Sequence, residues 1–92
     1  MITVYSKTHC PHCVNAKNYL QSRNINYHEV NIEEDTEARE FILEQGHRTV
    51  PQIYQGDRLL VAGGWQGLSK LSTEEILQRM QTISSTDDPG TL

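Results

Sequence analysis

Ile2-Thr3-Val4-Tyr5-Ser6-Lys7-Thr8-His9-Cys10-Pro11-His12-Cys13 is the stretch on which the fold turns. Ile2 and Val4 fall on one face and Thr3 and Tyr5 on the other, the period-two pattern of a strand. Lys7-Thr8-His9 reads as a loop. Pro11 stands where a helix accepts proline most readily, at its first position, because the N–H it lacks would be unpaired there anyway. From Cys13 onward the spacing changes. Cys13, Ala16 and Leu20 recur at i, i+3 and i+7, with Tyr19 alongside, which describes one buried face of a helix running to about Arg23. Asn24 and Asn26 break that pattern. Tyr27 to Ile32 is the next strand, with His28, Val30 and Ile32 on one side. Strand, helix and strand within roughly thirty residues match the size of a right-handed βαβ unit with parallel strands.

Downstream, Glu33-Glu34-Asp35 puts negative charge at the start of a second helix, where the helix dipole favours it. Ala38, Phe41 and Ile42 supply its apolar stripe, and Gly46 is a natural residue just past its end. After Pro51 the pattern predicts a hairpin: Gln52-Ile53-Tyr54-Gln55, a two-residue Gly56-Asp57 turn, then Arg58 to Ala62. Ser72 and Glu75 form a capping box for the last helix, and Leu71 against Ile76 forms its hydrophobic staple. Ile76, Leu77, Met80 and Ile83 are expected to face the core. Ser84 to Leu92 has no apolar period and reads as a frayed tail. The expected architecture is an α/β fold, βαβαββα, with a four-stranded mixed sheet flanked by helices. Residues 1–83 form one domain and 84–92 a flexible tail, with no repeat or linker between.

A chain of 92 residues leaves room for one small domain and buries only roughly 60–65% of its unfolded surface. With 36% hydrophobic and 22% charged residues it suits a soluble globule and not a disordered chain. The longest apolar stretch, Leu59-Leu60-Val61-Ala62, is far short of the ~20 residues a membrane span needs. No secretory signal is visible before Ile2, so a cytoplasmic location is expected. Eight basic against twelve acidic residues give a net charge of −4, which argues against a phosphate-tracking surface. Neither nucleic acid nor a membrane is an expected partner, and the chain is expected to act as a monomer.

The 2 cysteines, Cys10 and Cys13, close too small a loop to staple a fold. In a chain without an export signal their spacing reads as redox chemistry or metal ligation. With Cys10 at the helix N-cap, Pro11 is N1, His12 N2 and Cys13 N3. An N-cap side chain accepts hydrogen bonds from the N2 and N3 amides, so a Cys10 thiolate would face donors from His12 and Cys13. The positive end of the helix dipole and the nearby Lys7 ammonium act in the same direction. Terms of ~0.3–2 kcal/mol apiece, against ~1.36 kcal/mol per pKa unit, can lower a thiol from ~8.5 by one to several units. Cys13 lies one turn inside, on the buried face, and should remain a thiol. Cys10 would then attack a disulfide sulfur, and Cys13 would attack Cys10 to release the substrate. Two inert core cysteines would leave Pro11 and the N-cap placement without purpose. Zinc would want a second ligand pair, whereas His28 and His47 stand alone, so no metal is expected. His12 either tunes the thiolate and touches substrate or simply faces solvent.

Two further features fit a site. Thr49-Val50-Pro51 opens a strand with a residue that cannot donate to the ladder. A cis Val50–Pro51 bond would leave the Val50 N–H and C=O free to pair with an extended substrate. Gly63-Gly64, either an ordinary turn or a ligand contact, lets a ligand approach the backbone closely, and the N–H groups that follow could hold a carboxylate.

These pieces together resemble the glutaredoxins over about residues 1–83. The matching runs are Val4-Tyr5-Ser6-Lys7 into Cys10-Pro11-His12-Cys13, then Thr49-Val50-Pro51-Gln52-Ile53-Tyr54, then Gly63-Gly64. The resemblance implies a thioredoxin-like fold, glutathione as reductant and co-substrate, and reduction of protein disulfides or glutathionylated proteins. It implies that Cys10 is the nucleophile and Cys13 the resolving thiol. Lys7, with Arg39 or Arg48, would meet the glycyl carboxylate of glutathione, Val50 its cysteinyl backbone beside Pro51, and Gly64 its γ-glutamyl carboxylate.

One departure matters: glutaredoxins usually carry acidic residues shortly after the Gly-Gly pair, and here the run is Trp65-Gln66-Gly67-Leu68. Gln66 can accept a hydrogen bond from the γ-glutamyl amino group but supplies no charge, a loss of about 1 kcal/mol. The same run is similar to the Trp-x-Gly-hydrophobic segment of glutaredoxin-like redoxins that serve ribonucleotide reductase and are recharged by thioredoxin reductase. That makes a redoxin of this kind the close alternative. A module holding an iron–sulfur cluster between two protomers is a third, and the stiffness of Pro11 disfavours it.

Overall fold

The structure is a computed structural model; it describes the backbone of residues 1–86 and the side chains of residues 1–82. In chain order the elements are β1 (Ile2–Ser6), α1 (Pro11–Ser22), β2 (Tyr27–Asn31), α2 (Thr36–Glu44), β3 (Gln52–Gln55), β4 (Arg58–Val61), α3 (Gly64–Leu68) and α4 (Thr73–Thr86). The sheet runs β2-β1-β3-β4, with β1 and β2 parallel and the other two pairings antiparallel. The expected mixed four-stranded sheet therefore forms, with the βαβ unit contributing the parallel pair.

Alternation along β1 divides the interior. Ile2, Val4 and Ser6 are buried on the face that receives α1, while Thr3 and Tyr5 point to the other. On the first face Ile2, Val4, Ile53 and Val61 from the strands meet Ala16, Leu20, Leu68 and Ile76 from the helices in one cluster. On the second, Phe41 of α2 lies 5.8 Å from Tyr5 and 5.3 Å from Tyr54, ring centre to ring centre.

The helix ends follow their local chemistry. The α1 helix stops at a left-handed Asn24: Asn24 N–H donates to Gln21 O and Ile25 N–H to Leu20 O, the Schellman pattern. Asp35 caps α2, accepting from Ala38 N–H at 3.0 Å. At its far end Gly46 N–H donates to Leu43 O and His47 N–H to Ile42 O, so a second Schellman turn launches residues 47–51 toward the site. The capping box at α4 is reciprocal, with Ser72 N–H on Glu75 and Glu75 N–H on the Ser72 hydroxyl, each at 3.2 Å.

Three expectations need correction. A short helix, α3, stands between β4 and α4, so the order is βαβαββαα. Two glycines in five residues hide a helix from propensity. Leu77 does not face the core but is 44% exposed. The stripe of α4 is set by Ile76 and Met80 at i, i+4, and Leu77 falls about 100° off it. Finally, α4 continues through Ser84 and Ser85 to Thr86, where a tail was expected. Serine and threonine cost a helix only about 0.5 kcal/mol each, and no glycine or proline intervenes before Pro89. The inward placement of Ile83 and the rest of the expected tail, 87–92, lie outside the described side chains and residues.

Candidate functional site

Cys10 occupies the N-cap of α1, with extended backbone (φ −118°, ψ 100°), and its sulfur accepts the Cys13 N–H at 3.2 Å. Cys13 is the amide that reaches the sulfur; the His12 amide expected beside it does not. The side chain of His12 is exposed, as is Pro11 at N1. Cys10 and Cys13 are joined as a disulfide, Cα to Cα 5.2 Å, within the ordinary range for such bonds. Their surroundings differ as the helix dictates: Cys10 sits at the helix mouth and Cys13, 1% exposed, beneath it.

The loop that delivers Cys10 is held from below. Thr8 N–H donates to Glu33 at 2.8 Å, Asn31 donates to the Thr8 hydroxyl at 3.2 Å, and Glu33 N–H donates back to Asn31 at 2.8 Å. The Thr8 backbone and side-chain hydrogen bonds hold the Glu33 carboxyl below its ordinary pKa, with the Lys7 and His9 charges adding to the effect. His9, immediately before the nucleophile, adopts a left-handed φ of 57°, uncommon for a residue with a Cβ. Glu33 reads from sequence only as a helix-start acid, because the residue it holds is 25 positions away.

Residues 47–51 form the opposite wall. The Val50–Pro51 peptide bond is cis. The Val50 carbonyl oxygen lies 3.9 Å from the Cys10 sulfur, and the Val50 N–H has no hydrogen-bond partner among the described residues. Two side chains, buried Gln52 and half-buried His47, fix this segment. Gln52 donates to the Thr49 carbonyl at 2.8 Å, and His47 Nε2 lies 2.6 Å from the Tyr54 hydroxyl. Burial raises the Tyr54 pKa, with the neighbouring Tyr5 adding to it, so the phenol is neutral and able to hydrogen-bond the imidazole. Neither Gln52 nor His47 stands out in the sequence as a site residue, since each acts through the backbone it steadies.

Clefts open on both sides of Val50. One, about 210 Å³, brings together Lys7, Arg39 and Arg48 against Thr49 and Val50. None of these three cations is in an ion pair among the described residues. The other, about 250 Å³, shares Thr49 and Val50 and is completed by His12 and Pro51 with Gly63, Gly64, Trp65 and Gln66. No carboxylate, ammonium or guanidinium group lines it.

The second cleft depends on two close approaches. A Cβ on Gly64 would lie 2.7 Å from the Pro51 carbonyl oxygen, and Gly64 has a φ of +57° besides. A Cβ on Gly67 would collide with the Ala62 carbonyl oxygen. Glycine at both positions lets α3 close on β3 and β4 and carries Trp65 over Tyr19, ring centres 5.5 Å apart. The Arg23 guanidinium stacks on the Tyr19 ring at 3.5 Å, and the Tyr19 hydroxyl donates to the Leu71 carbonyl. Every residue singled out as a candidate from the sequence thus lies at the mouth of α1 or in one of the two clefts. Among the described residues no group of three or more His, Cys, Asp or Glu side chains converges as a metal site would require.

Known proteins share this arrangement. The family model for glutaredoxin matches residues 2–60. Glutaredoxin 1 of Rickettsia conorii is 34% identical over 82 residues, covering 86% of this chain and 78% of its own. The glutaredoxin-like protein NrdH of Lactococcus lactis subsp. cremoris is 40% identical over 57 residues, 62% of this chain and 79% of that one. Among solved structures, the glutaredoxin-like protein NrdH-redoxin from Escherichia coli superposes with a TM-score of 0.64 at 25% identity, covering 77% of this chain and 93% of its own. A cysteine at the helix N-cap and a second one helical turn inside are the working parts of thiol–disulfide exchange, and with the family match over most of the sheet they show that the chain belongs to the glutaredoxin family of thiol–disulfide oxidoreductases.

Proposed function

We propose that the protein is a glutathione-linked dithiol reductase of protein disulfides and mixed disulfides. The observation that carries this reading is the position of Val50, its peptide edge free and 3.9 Å from the Cys10 sulfur, beside a cleft of three unpaired cations. In the reduced protein the Cys10 thiolate attacks one sulfur of a client disulfide, and the client's other sulfur leaves as a thiolate. Cys13 loses its proton and attacks the Cys10 sulfur, forming the Cys10–Cys13 disulfide and releasing the second client thiolate. One glutathione thiolate then opens that disulfide at Cys10, and a second removes the first as oxidised glutathione. Two electrons pass from glutathione to client.

In this reading each binding residue takes a role that suits its place. Lys7, Arg39 and Arg48 take the glycyl carboxylate, Val50 pairs with the cysteinyl backbone beside Pro51, and Thr49 helps shape the edge. The Gly64 backbone approaches the γ-glutamyl end, where Gln66 offers an acceptor to the amino group and Gly63 leaves room.

A second reading is favoured by one feature, the uncharged cleft under Trp65. A redoxin recharged by thioredoxin reductase and serving ribonucleotide reductase has no need of a γ-glutamyl site. The E. coli NrdH-redoxin, a structural relative, is described as having a thioredoxin-like activity profile. The donor test separates the two. The protein is given a small disulfide and NADPH, with glutathione and glutathione reductase in one cuvette and thioredoxin reductase in another. NADPH loss with glutathione alone supports the first reading; loss with thioredoxin reductase alone refutes it in favour of the second.

A further inference from the structure

Of the two side chains that fix residues 47–51, Gln52 keeps its charge state at every ordinary pH and His47 does not. The partner of His47 restricts which form of the imidazole fits. Tyr54 is 2% exposed, its phenol is kept neutral by burial, and its hydroxyl hydrogen has no other acceptor among the described residues. A neutral imidazole with a bare Nε2 accepts that hydrogen. The imidazolium cannot, because both of its ring nitrogens carry hydrogens. It can only donate to the phenol oxygen, and the phenol hydrogen is then buried without an acceptor. The charged groups around His47 act in the same direction. Lys7 from the loop after β1, Arg39 from α2 and Arg48 from its own segment line a cleft with it, and no carboxylate does. Tyr5 of β1 and Phe41 of α2, which pack on the Tyr54 ring, bring no charge, and Asp35, felt at Tyr5, caps the opposite end of α2. The α2 carbonyls nearest His47, those of Ile42 and Leu43, are already taken by the His47 and Gly46 N–H groups.

We infer that His47 is a positioning residue whose neutral form holds the Val50 edge in place and whose protonation in mild acid releases it, slowing exchange with peptide substrates. The inference rests on the reading of Val50 as the substrate edge and adds a control on that edge. His47 acts through the Tyr54 hydroxyl, against whose ring its own ring stands edge to face at 5.7 Å, and touches neither cysteine. Release is partial. Gln52 still holds the Thr49 carbonyl, and the His47 N–H still closes on the Ile42 carbonyl, so the effect is a few-fold and not a loss of activity. It is also separate from protonation of the Cys10 thiolate in acid, which falls on every substrate alike.

The test compares pre-reduced full-length wild type with His47→Gln between about pH 8 and about pH 5.5, the span in which histidine changes charge. Glutamine keeps an acceptor oxygen for the Tyr54 hydroxyl and takes up no proton in this span. The substrate is an uncharged, blocked Ala-Ala-Cys-Ala-Ala peptide whose cysteine is a mixed disulfide with thiopyridine. The Cys10 thiolate attacks the peptide sulfur, the sulfur–sulfur bond to thiopyridine breaks, and the absorbance of the departing thiopyridone gives the rate. Alkylation of Cys10 by iodoacetamide, which needs no peptide edge, corrects each rate for the fraction of thiolate. After that correction the two proteins should agree within about twofold at the upper pH, and wild type should be about threefold slower than the variant at the lower. His9, His12 and His28 are present in both proteins and cancel in the ratio. In proton–nitrogen NMR spectra of the wild type the Val50 amide should move with the His47 ring signal; if the variant does not fold, these spectra alone decide. A Val50 amide that does not follow the ring would overturn the inference and leave the reading of Val50 as the substrate edge standing. An amide that follows the ring, with a rate ratio that is flat or rises in acid, would overturn both.

Discussion

On one face of the sheet, Ile2, Val4, Ile53 and Val61 meet aliphatic side chains from α1, α3 and α4; on the other, Tyr5, Phe41 and Tyr54 stack beneath α2 with His47 at their edge. The aliphatic face is built mainly from Ile, Leu, Val and Ala side chains and gains chiefly by area, about 25 cal/mol for each Å² of apolar surface removed from water. The aromatic face has directed contacts. Tyr5 and Tyr54 lie edge to face at 5.7 Å, and the Tyr54 hydroxyl ends on His47, the first residue of the loop that carries Val50. One face holds the molecule together; the other sets where the loop that carries Val50 lies.

If the faces divide the work in this way, substitutions on them should separate stability from activity. Ile53→Ala empties a fully buried site on the aliphatic face and should cost about 2–5 kcal/mol, a large share of a small domain's stability. Urea unfolding would read this as a lowered midpoint, with disulfide exchange near wild type where the variant is still folded. Gly67→Ala drives a methyl at the Ala62 carbonyl and should cost about 1–3 kcal/mol as α3 shifts. Trp65 is the chain's one tryptophan, so the shift should also appear as a change in fluorescence emission. An unchanged spectrum with unchanged stability would mean that α3 does not depend on this contact.

Tyr54→Phe keeps the ring and removes the hydroxyl that meets His47. About 1 kcal/mol of stability should be lost, and exchange at Cys10 should slow about threefold as residues 48–50 loosen. A slower reaction with unchanged stability would sharpen the contrast between the faces, while loss of stability alone would erase it.

The smallest effect is expected at Glu29, where Lys17 and Ser6 both donate to one carboxylate oxygen, at 2.8 and 2.7 Å. The Lys17 hydrogen bond, then that of Ser6, lowers its pKa. A carboxyl whose folded pKa lies below the unfolded one stabilises the fold above the ordinary carboxylate range, and the contribution is lost as pH falls through the folded value. The side chain is 40% exposed, so Glu29→Gln should cost below about 1 kcal/mol near neutrality. The difference from wild type should narrow in acid.

The aliphatic face was legible because it is periodic. Cys13, Ala16 and Leu20 mark α1 in the sequence and are buried together, and the Ser72–Glu75 box sits where its spacing put it. The aromatic face was less so, because Tyr5, Phe41, His47 and Tyr54 come from four separate stretches with no shared spacing. Leu77 was misplaced by counting apolar residues without turning them through 100° each. In the same way α3 was hidden because glycine's poor helix propensity is outweighed by contacts with Pro51 and Ala62 that only the folded chain provides. The cysteine pair and Val50–Pro51 could be read locally. Their supports, Glu33, His47 and Gln52, could not.

The central claim is that chemistry begins at Cys10 and that Cys13 waits. It is tested most directly by carbamidomethylation of the reduced protein across pH, with each cysteine's modification followed by mass spectrometry. Cys10, at the N-cap, should be alkylated with a midpoint at least about one unit below the ordinary thiol value of ~8.5, while Cys13 resists until higher pH. Equal alkylation of the two, or faster alkylation of Cys13, would contradict the account.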